Sequence, residues 1–203
     1  MPTDKNIESS VSREAALPPA AEKILGVAHE LFYREGIRAI GVDEIVKKAG
    51  VTKPSLYRSF SSKDELAASY LRKYDIEFWG RFDEAVAAHP GDARAQINAF
   101  LTRIGKRSQK QGYRGCGMTN AAVEYPEAGH PARVVSEENK RELRRRLRAM
   151  AKEMGAADPG TLGDGLLLLI EGAYISSQIF GPGGPSQSVA RQADLLIGAS
   201  LKS

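Results

Sequence analysis

Apolar residues recur every three or four positions through most of this chain, the spacing that places them on one face of an α-helix. After Pro18-Pro19, a stripe that includes Leu31 and Phe32 predicts a first helix over residues 19–35, ended by Gly36. The same spacing predicts further helices over residues 42–49, 53–60, 62–88, 92–109, 117–124, 131–154, 159–180 and 186–201. No segment alternates apolar and polar residues convincingly, as a strand would. The pattern therefore predicts an all-α fold of about nine helices.

Residues 42–61 have the layout of a helix-turn-helix: a short helix, a tight turn that contains Gly50, and a second short helix. Thr52 directly precedes the second helix, where its side chain can cap the first turn. Ala49 and Gly50 are small residues at the point where the two helices must approach each other. The apolar residues that can form a shared core are Ile45, Ala49, Val51 and Leu56.

The next predicted helix covers residues 62–88 and is longer than the three predicted before it. Ser62 can cap its first turn, and Glu65, three residues later, completes the pattern of a capping box. An aromatic run from Tyr70 to Phe82 lies along its middle. One continuous helix is thus expected to connect the helix-turn-helix to the rest of the molecule.

Composition narrows the class of protein. The chain has 203 residues, 42% of them hydrophobic and 27% charged, which is typical of a globular protein. The single cysteine, Cys116, excludes an intrachain disulfide and favours a reducing, cytoplasmic setting. No run of about 18 apolar residues is present, so no membrane span is expected. One cysteine and three scattered histidines predict neither a metal site nor a cofactor.

The positive charge is concentrated in the helix-turn-helix. The whole chain carries a net charge of +4, yet the nineteen residues from Ile45 to Lys63 contain five basic residues and no acidic one. These residues are Lys47, Lys48, Lys53, Arg58 and Lys63. Such a patch favours contact with the phosphates of a nucleic acid.

The run GVDEIVKKAGVTKPSLYRSFSSKDEL, from Gly41 to Leu66, resembles the DNA-binding domain of TetR-type transcriptional regulators. In that family an Ala-Gly-Val turn precedes a recognition helix with a Leu-Tyr pair, followed by Phe and by Ser-Lys-x-x-Leu. The matching residues here are Ala49-Gly50-Val51, Leu56-Tyr57, Phe60, Ser62-Lys63 and Leu66. The resemblance covers roughly residues 20–67. One position departs from the family: Gly41 stands where many members have Thr or Ser, so a hydroxyl contact to phosphate is not expected there.

The resemblance implies a domain division and a partner. Residues 1–17 show no sustained periodicity and are expected to form a disordered tail. Residues 18–64 would form the helix-turn-helix DNA-binding domain, and residues 65–203 a helical domain for ligand binding and dimerisation. The implied partner is a palindromic double-stranded DNA operator. The implied function is a ligand-responsive transcriptional regulator, most simply a repressor.

The same resemblance assigns roles in the helix-turn-helix. The residues implied to contact DNA are Lys48, Thr52, Lys53, Ser55, Tyr57, Arg58 and Lys63. Lys53 and Arg58 can reach guanine acceptors or phosphates, whereas Tyr57 and Lys63 would mainly contact the backbone. The alternative is that the basic residues are simply solvated and that Tyr57 covers the domain core.

Large aromatic residues among small ones can leave an apolar cavity with a few polar groups. The candidate ligand-binding residues are Tyr74, Phe78, Trp79, Phe82, Cys116, Asn120, Glu124, Glu171 and Tyr174. They predict a largely apolar small-molecule effector, with Trp79 as a wall of the pocket. The alternative is that these side chains form an ordinary core. Cys116 is either a redox or electrophile sensor or a small residue packed at a helix start.

The last two predicted helices are strongly apolar. The first is apolar on nearly every side, and the second carries a stripe that includes Val189, Ala193 and Leu196. Pairing two copies would cover the apolar surface left on one chain, so a homodimer through these helices is expected. The basic run Lys140 to Arg148 could be a second nucleic-acid surface, but its apolar residues share one face, which favours a solvated exterior.

Two other classes of function compete with a regulator. A helical enzyme or binding module without a DNA role would need convergent catalytic groups, and the chain has no Gly-x-Ser-x-Gly, phosphate-loop or His-Glu-x-x-His motif. The chain is therefore not expected to be an enzyme. An architectural DNA-binding protein without an effector would need no cavity in its C-terminal core.

Overall fold

The computed structural model describes residues 17–201, which fold into nine α-helices and one turn of 3-10 helix, with no strand in that range. The elements are α1 (Pro19–Glu35), α2 (Val42–Ala49), α3 (Lys53–Ser59), α4 (Lys63–Ala87), α5 (Ala93–Ser108), α6 (Gly117–Glu124), α7 (Pro131–Glu153), α8 (Pro159–Phe180), the 3-10 turn (Pro185–Ser188) and α9 (Val189–Ser200). The all-α prediction is confirmed. The predicted N-terminal tail lies outside the described residues, apart from Leu17.

The helix ends follow the capping residues. The Thr52 side chain accepts a hydrogen bond from the backbone N–H of Ser55 at 3.4 Å, and Ser62 accepts one from Glu65 at 3.1 Å. The carboxylate of Glu65 pairs with Arg72 at 2.9 Å. The predicted last helix differs at its start, because Pro185 opens a 3-10 turn before α9 begins.

The first three helices pack around one another and around the start of α4. Ile24, Ile45, Leu56 and Leu66 come from four successive helices, and all are fully or almost fully buried in this small core. At about 1.5 Å of rise per residue, the 25 residues of α4 extend about 37 Å. The helix therefore reaches from the helix-turn-helix into the larger C-terminal bundle.

The C-terminal bundle is built from α4 to α9. Helix α8 packs along α7, and α9 packs against both α5 and α8. The short helix α6 is held between α4 and α7. Its first residue, Gly117, lies so close to α4 that an added Cβ would be 2.7 Å from the Tyr70 hydroxyl, so only glycine fits this contact. Within the described residues, no helix is long and apolar enough to cross a membrane.

Gly50 shapes the turn of the helix-turn-helix. Its backbone is left-handed (φ 62°, ψ 39°), and an added Cβ would have only the Lys23 Nζ as a neighbour, at 3.5 Å. The turn therefore requires glycine for its backbone conformation, whereas the expected close approach of the helices is provided by Ala49, which is fully buried.

Gly50→Ala is expected to lower the free energy of unfolding by about 1–2 kcal/mol, because alanine in the left-handed region is strained. Gly80→Ala is the matched control: Gly80 lies within α4, and an added Cβ would meet nothing within 4 Å. The control should raise stability by roughly 0.5–1 kcal/mol, because alanine favours the helix. Guanidinium denaturation of both variants measures the difference, and equal effects would refute the role given to the turn.

Candidate functional site: a basic surface and an aromatic core

Helix α3 exposes one face and buries the other. Leu56 is fully buried in the core shared by the first four helices, whereas the neighbouring Tyr57 is 50% exposed and Arg58 is exposed as well. Thr52 and Lys53 are exposed at the start of the helix, and Ser55 is half-buried. The residues expected to contact DNA from this helix therefore lie together on one accessible end of the molecule.

Two of the predicted basic residues have acidic partners in space. Lys53 Nζ lies 2.7 Å from Asp43, and Lys48 Nζ lies 3.1 Å from Glu30. The hydrogen bond that Lys53 donates to the Asp43 carboxylate raises the pKa of Lys53 above its usual value. The stretch that is free of acids along the sequence is thus partly neutralised by α1 and by the start of α2.

Lys63 is the first residue of α4, at the border of the basic surface. Its Nζ donates a hydrogen bond to the backbone carbonyl of Arg38 at 3.4 Å, and partial burial lowers its pKa. Lys47 and Arg58 are exposed, and no carboxylate of the described residues lies within ion-pair distance of either. They are the basic side chains of this surface that are most available to a phosphate or a base.

The aromatic run of α4 contributes to two different spaces. Tyr74 and Phe78 line a small enclosed space, together with Tyr174 from α8. Phe82 is buried, with its ring centroid 4.9 Å from that of Phe100. Tyr74, Phe78 and Tyr174 thus surround one space, and Phe82 is not part of its lining.

Trp79 is in contact with the Phe78 ring but lines a different space, an open groove along α7. Asp75 lines the same groove, and the Arg146 guanidinium covers the indole ring at 4.1 Å. The structure therefore separates Trp79 from the enclosed space that Tyr74, Phe78 and Tyr174 surround.

A polar cluster surrounds Cys116, which is fully buried before the first turn of α6. The Lys140 ammonium lies 3.4 Å from Sγ of Cys116 and 2.6 Å from the Glu171 carboxylate, which also accepts a hydrogen bond from Thr119 at 2.6 Å. Burial disfavours the charged form of Lys140, but the interactions with Cys116 and Glu171 outweigh it and raise its pKa. Cys116 and Glu171, two of the candidate ligand-binding residues, are thus brought together through Lys140, which belongs to a run expected on a solvated face.

Asn120 and Glu124 are taken up by internal contacts. The Asn120 amide donates to the Arg114 carbonyl at 2.8 Å and accepts from Gln178 at 3.1 Å. The Glu124 carboxylate accepts the backbone N–H of Arg38 at 2.8 Å, which connects α6 to the loop after α1.

A second contact joins α1 to the segment before α6. The Tyr33 hydroxyl of α1 donates to the carbonyl of Gly115 at 3.2 Å and accepts the backbone N–H of Arg114 at 3.0 Å. Together with the bond between Glu124 and Arg38, it fastens the helix-turn-helix to the segment around α6. Apart from Glu124, which was assigned to the pocket, this junction was not visible in the sequence, because its partners lie about 80 residues apart.

Sequence reasoning also missed the polar lining of the enclosed space. Phe100 and Ile104 of α5 were not among the candidate ligand-binding residues, and the lining also includes Arg81, Arg103, Arg107 and Tyr113. The available signal was the four-residue spacing of Arg103 and Arg107, which puts both on the same side of α5.

The outer faces of α8 and α9 expose large apolar side chains. Leu168, Ile175 and Ile179 follow one another on the same side of α8, and their exposed fractions are 73%, 53% and 68%. Leu195 of α9 is 60% exposed. The stripe expected on α9 faces inward: Val189, Ala193 and Ile197 are buried, and Leu196 is half-buried near Gly165. Most of the exposed apolar surface on these two helices is therefore provided by α8.

Most of the basic run on α7 is engaged in ion pairs. Arg144 and Arg148 both pair with Asp164, at 2.7 and 2.6 Å, and Arg146 pairs with Asp83 at 2.8 Å. These contacts connect the exposed side of α7 to α8 and α4. These arginines thus serve contacts between helices and do not form a second free basic surface.

Comparison with known proteins finds transcriptional regulators among the proteins similar to this chain. A family model described as bacterial regulatory proteins of the tetR family matches residues 24–70. The repressor KstR2 of Rhodococcus jostii is 35% identical over 80 residues, which cover 39% of this chain and 39% of KstR2. The activator FasR of Mycolicibacterium smegmatis is 34% identical over 118 residues, or 57% of this chain and 52% of FasR. This chain thus spans well under two thirds of either relative, and both are named as transcriptional regulators rather than enzymes.

Solved structures match over nearly the whole chain. A TetR-family transcriptional regulator from Streptomyces coelicolor superposes with a TM-score of 0.80 at 29% identity, covering 90% of this chain and 94% of that one. A protein described as a TetR transcriptional regulator from Streptomyces avermitilis gives a TM-score of 0.77 at 30% identity, covering 90% and 98%. Since the helix-turn-helix matches the family model and a relative at this identity is covered almost completely, the chain belongs to the TetR family of DNA-binding transcriptional regulators.

Proposed function

We propose that the protein is a homodimeric repressor that binds a palindromic DNA operator and is released by a small-molecule effector. Residues 18–64 form the DNA-binding domain in this proposal, and residues 65–203 form the domain for ligand binding and dimerisation. The observation that carries it is the exposed face of α3, where Tyr57 and Arg58 stand free beside a buried Leu56.

Helix α3 is the element proposed to enter the major groove. It is seven residues long. One side of it is exposed, and the other side packs against α1 and α2, which hold it in place. Arg58 would reach base edges, and Lys53, after exchanging Asp43 for DNA, would reach a guanine or a phosphate. Thr52, Ser55 and Tyr57 would complete the reading face, while Lys48 and Lys63 would contact the flanking phosphates.

The dimer is proposed to form through α8 and α9. The exposed line of Leu168, Ile175 and Ile179 has the spacing of one helical face, and Leu195 of α9 adds a further exposed apolar side chain. A two-fold axis through this surface would pair α8 and α9 with their copies in a four-helix seam. It would also place two copies of α3 at a fixed separation, as a palindromic operator requires.

Effector control is proposed to act through the junction between the domains. The segment formed by α6 and the loop before it would have two arrangements, and a ligand in the C-terminal bundle would bind one of them more tightly. Binding would therefore favour that arrangement and change the contacts at Tyr33 and Glu124. Since these contacts join the bundle to α1 and to the loop after it, they would shift the helix-turn-helix relative to its copy. DNA affinity then changes because the separation of the two copies of α3 no longer fits the operator.

Salt dependence tests the electrostatic part of this proposal. Lys63→Ala is expected to weaken binding to every DNA sequence and to flatten the slope of log K against log salt by about one unit per half-site. Lys152→Ala is the control, because Lys152 is exposed on α7 and its loss changes the net charge equally. Fluorescence anisotropy at several salt concentrations gives the slopes. If both variants keep the slope of the wild type, Lys63 does not contact a phosphate.

Asp43→Asn tests the ion pair that covers Lys53. Releasing Lys53 and removing a negative charge near DNA should raise affinity by about two- to fivefold at low salt. The same anisotropy titration measures this change, and the gain should shrink as salt increases. A loss of affinity would show that the pair with Asp43 holds Lys53 in its DNA-binding position.

A further inference from the structure

The enclosed space in the C-terminal bundle has an unusual lining. It measures about 20 Å³ and lies between α4, α5 and α8. Its apolar walls are Tyr74, Phe78, Phe100, Ile104 and Tyr174. Arginines from two helices close one side of it: Arg81 from α4, and Arg103 and Arg107 from α5. An apolar chamber is therefore bordered by guanidinium groups along one wall.

An open groove lies on the outer side of that wall. Its volume is about 450 Å³, and it is lined by Tyr33, Arg81, Arg107, Lys110, Gln111, Gly112 and Tyr113. Arg81, Arg107 and Tyr113 line both the groove and the chamber. The groove and the chamber are therefore adjacent, with these three side chains common to both.

The groove carries uncompensated positive charge. In the part of the chain that the structure describes, no carboxylate lies within ion-pair distance of Arg107 or Lys110. Arg81 has Glu77 at 3.8 Å, a long contact, whereas Arg103 is occupied by Glu84 at 2.7 Å. Burial raises the pKa of Tyr113, so its hydroxyl stays protonated and can donate a hydrogen bond. Three cations and Tyr113 thus line one concave surface with little negative charge to balance the cations.

We infer that the effector is an apolar molecule that carries an oxyanion, either a carboxylate or a phosphate. Arg81, Arg107 and Lys110 bind the oxyanion in the groove, because guanidinium groups pair with both anions through two parallel hydrogen bonds. The apolar body displaces the Tyr113 ring and extends into the aromatic chamber, which widens to receive it. This inference rests on the proposed function and gives the chemical class of its effector.

The location of the groove connects the anion to the DNA-binding domain. Tyr33, which belongs to α1, lines the groove, and its hydroxyl holds the backbone at Arg114 and Gly115. An anion on Arg107 therefore lies next to the contact that fastens α1 to the bundle. Entry of the ligand moves the segment from Gln111 to Tyr113, which continues directly into that contact.

Three probes with the same chain length test the inference: octanoate, octyl phosphate and octan-1-ol. Each is titrated calorimetrically into the purified full-length protein in the absence of DNA. At least one of the two anions should bind, with an affinity at least about tenfold above that of octan-1-ol, because a charge-assisted hydrogen bond contributes about that factor. Binding of octanoate alone identifies a carboxylate ligand, and binding of octyl phosphate alone identifies a phosphate ester.

Arg107→Gln should weaken binding of the anion by about tenfold and leave octan-1-ol unchanged. Lys106→Gln, one residue earlier on the exposed side of α5, should change neither. The inference is overturned if neither anion binds, if octan-1-ol binds as tightly as the anions, or if Arg107→Gln binds the anions like the wild type. Because no DNA is present, these outcomes are independent of operator binding, whose failure would instead refute the proposed function.

Discussion

Ile175→Glu is expected to convert the protein from a dimer to a monomer and to abolish tight operator binding. Ile175 lies in the middle of the exposed apolar line of α8, between Leu168 and Ile179. At a two-fold seam the substitution would bury two carboxylates against apolar surface, each at a cost of several kcal/mol. The dimer dissociation constant should therefore rise by at least about a thousandfold.

Sedimentation measures this effect directly, since the variant should run as a single chain of 22.0 kDa. A monomer presents a single copy of α3 and therefore loses the gain from bivalent binding. Operator affinity should fall by about 10²- to 10⁴-fold as a result. Val123→Glu is the matched control, because Val123 is 78% exposed on α6 and is not part of the exposed apolar line of α8. A folded Ile175→Glu variant that still sediments as a dimer would place the interface elsewhere.

Arg58→Ala is expected to lower affinity for the operator by about 10- to 100-fold per half-site, since a bidentate contact to guanine discriminates by about 1–3 kcal/mol. Arg58 is exposed in the last turn of α3, with no carboxylate of the described residues within ion-pair distance, so its guanidinium is available to a base. Binding to unrelated DNA should fall much less, because that binding depends on charge alone.

Arg58→Lys separates base recognition from phosphate contact. Lysine keeps the charge but loses the planar pair of donors. If Arg58 contacts a base, this variant loses specific affinity and retains its affinity for unrelated DNA. Operator affinity close to that of the wild type would instead assign Arg58 to a phosphate. Anisotropy titrations with operator and scrambled duplexes distinguish the two results.

Local signals explain why much of the fold could be predicted. The ends of α2 and α3 depend on Gly50 and Thr52, whose effects act within a few residues along the chain. The boundaries of α1, α6 and α8 likewise follow from proline, glycine and apolar spacing. The 3-10 turn before α9 was missed because a proline at residue 185 is compatible with either kind of helix start.

The candidate site was less predictable, because its contacts join distant residues. The sequence shows no acid between Ile45 and Lys63, but the fold brings Asp43 and Glu30 onto the basic surface. Trp79 and Phe78 are adjacent in sequence and their ring centroids are 5.1 Å apart, yet they line different spaces. The packing of α4, α5 and α7 places Lys140 next to Cys116 and brings Arg81 and Arg107 to the same groove. Periodicity alone does not specify that packing.

Selection of bound fragments from random and genomic DNA by the purified protein tests the central claim most directly. A dimer that presents two copies of α3 should enrich one palindromic motif, with half-sites separated by about one turn of DNA or slightly more. Both half-sites should change together when Arg58 is replaced. Enrichment of no motif, or of a single half-site without a symmetric copy, would contradict a dimeric operator-binding regulator.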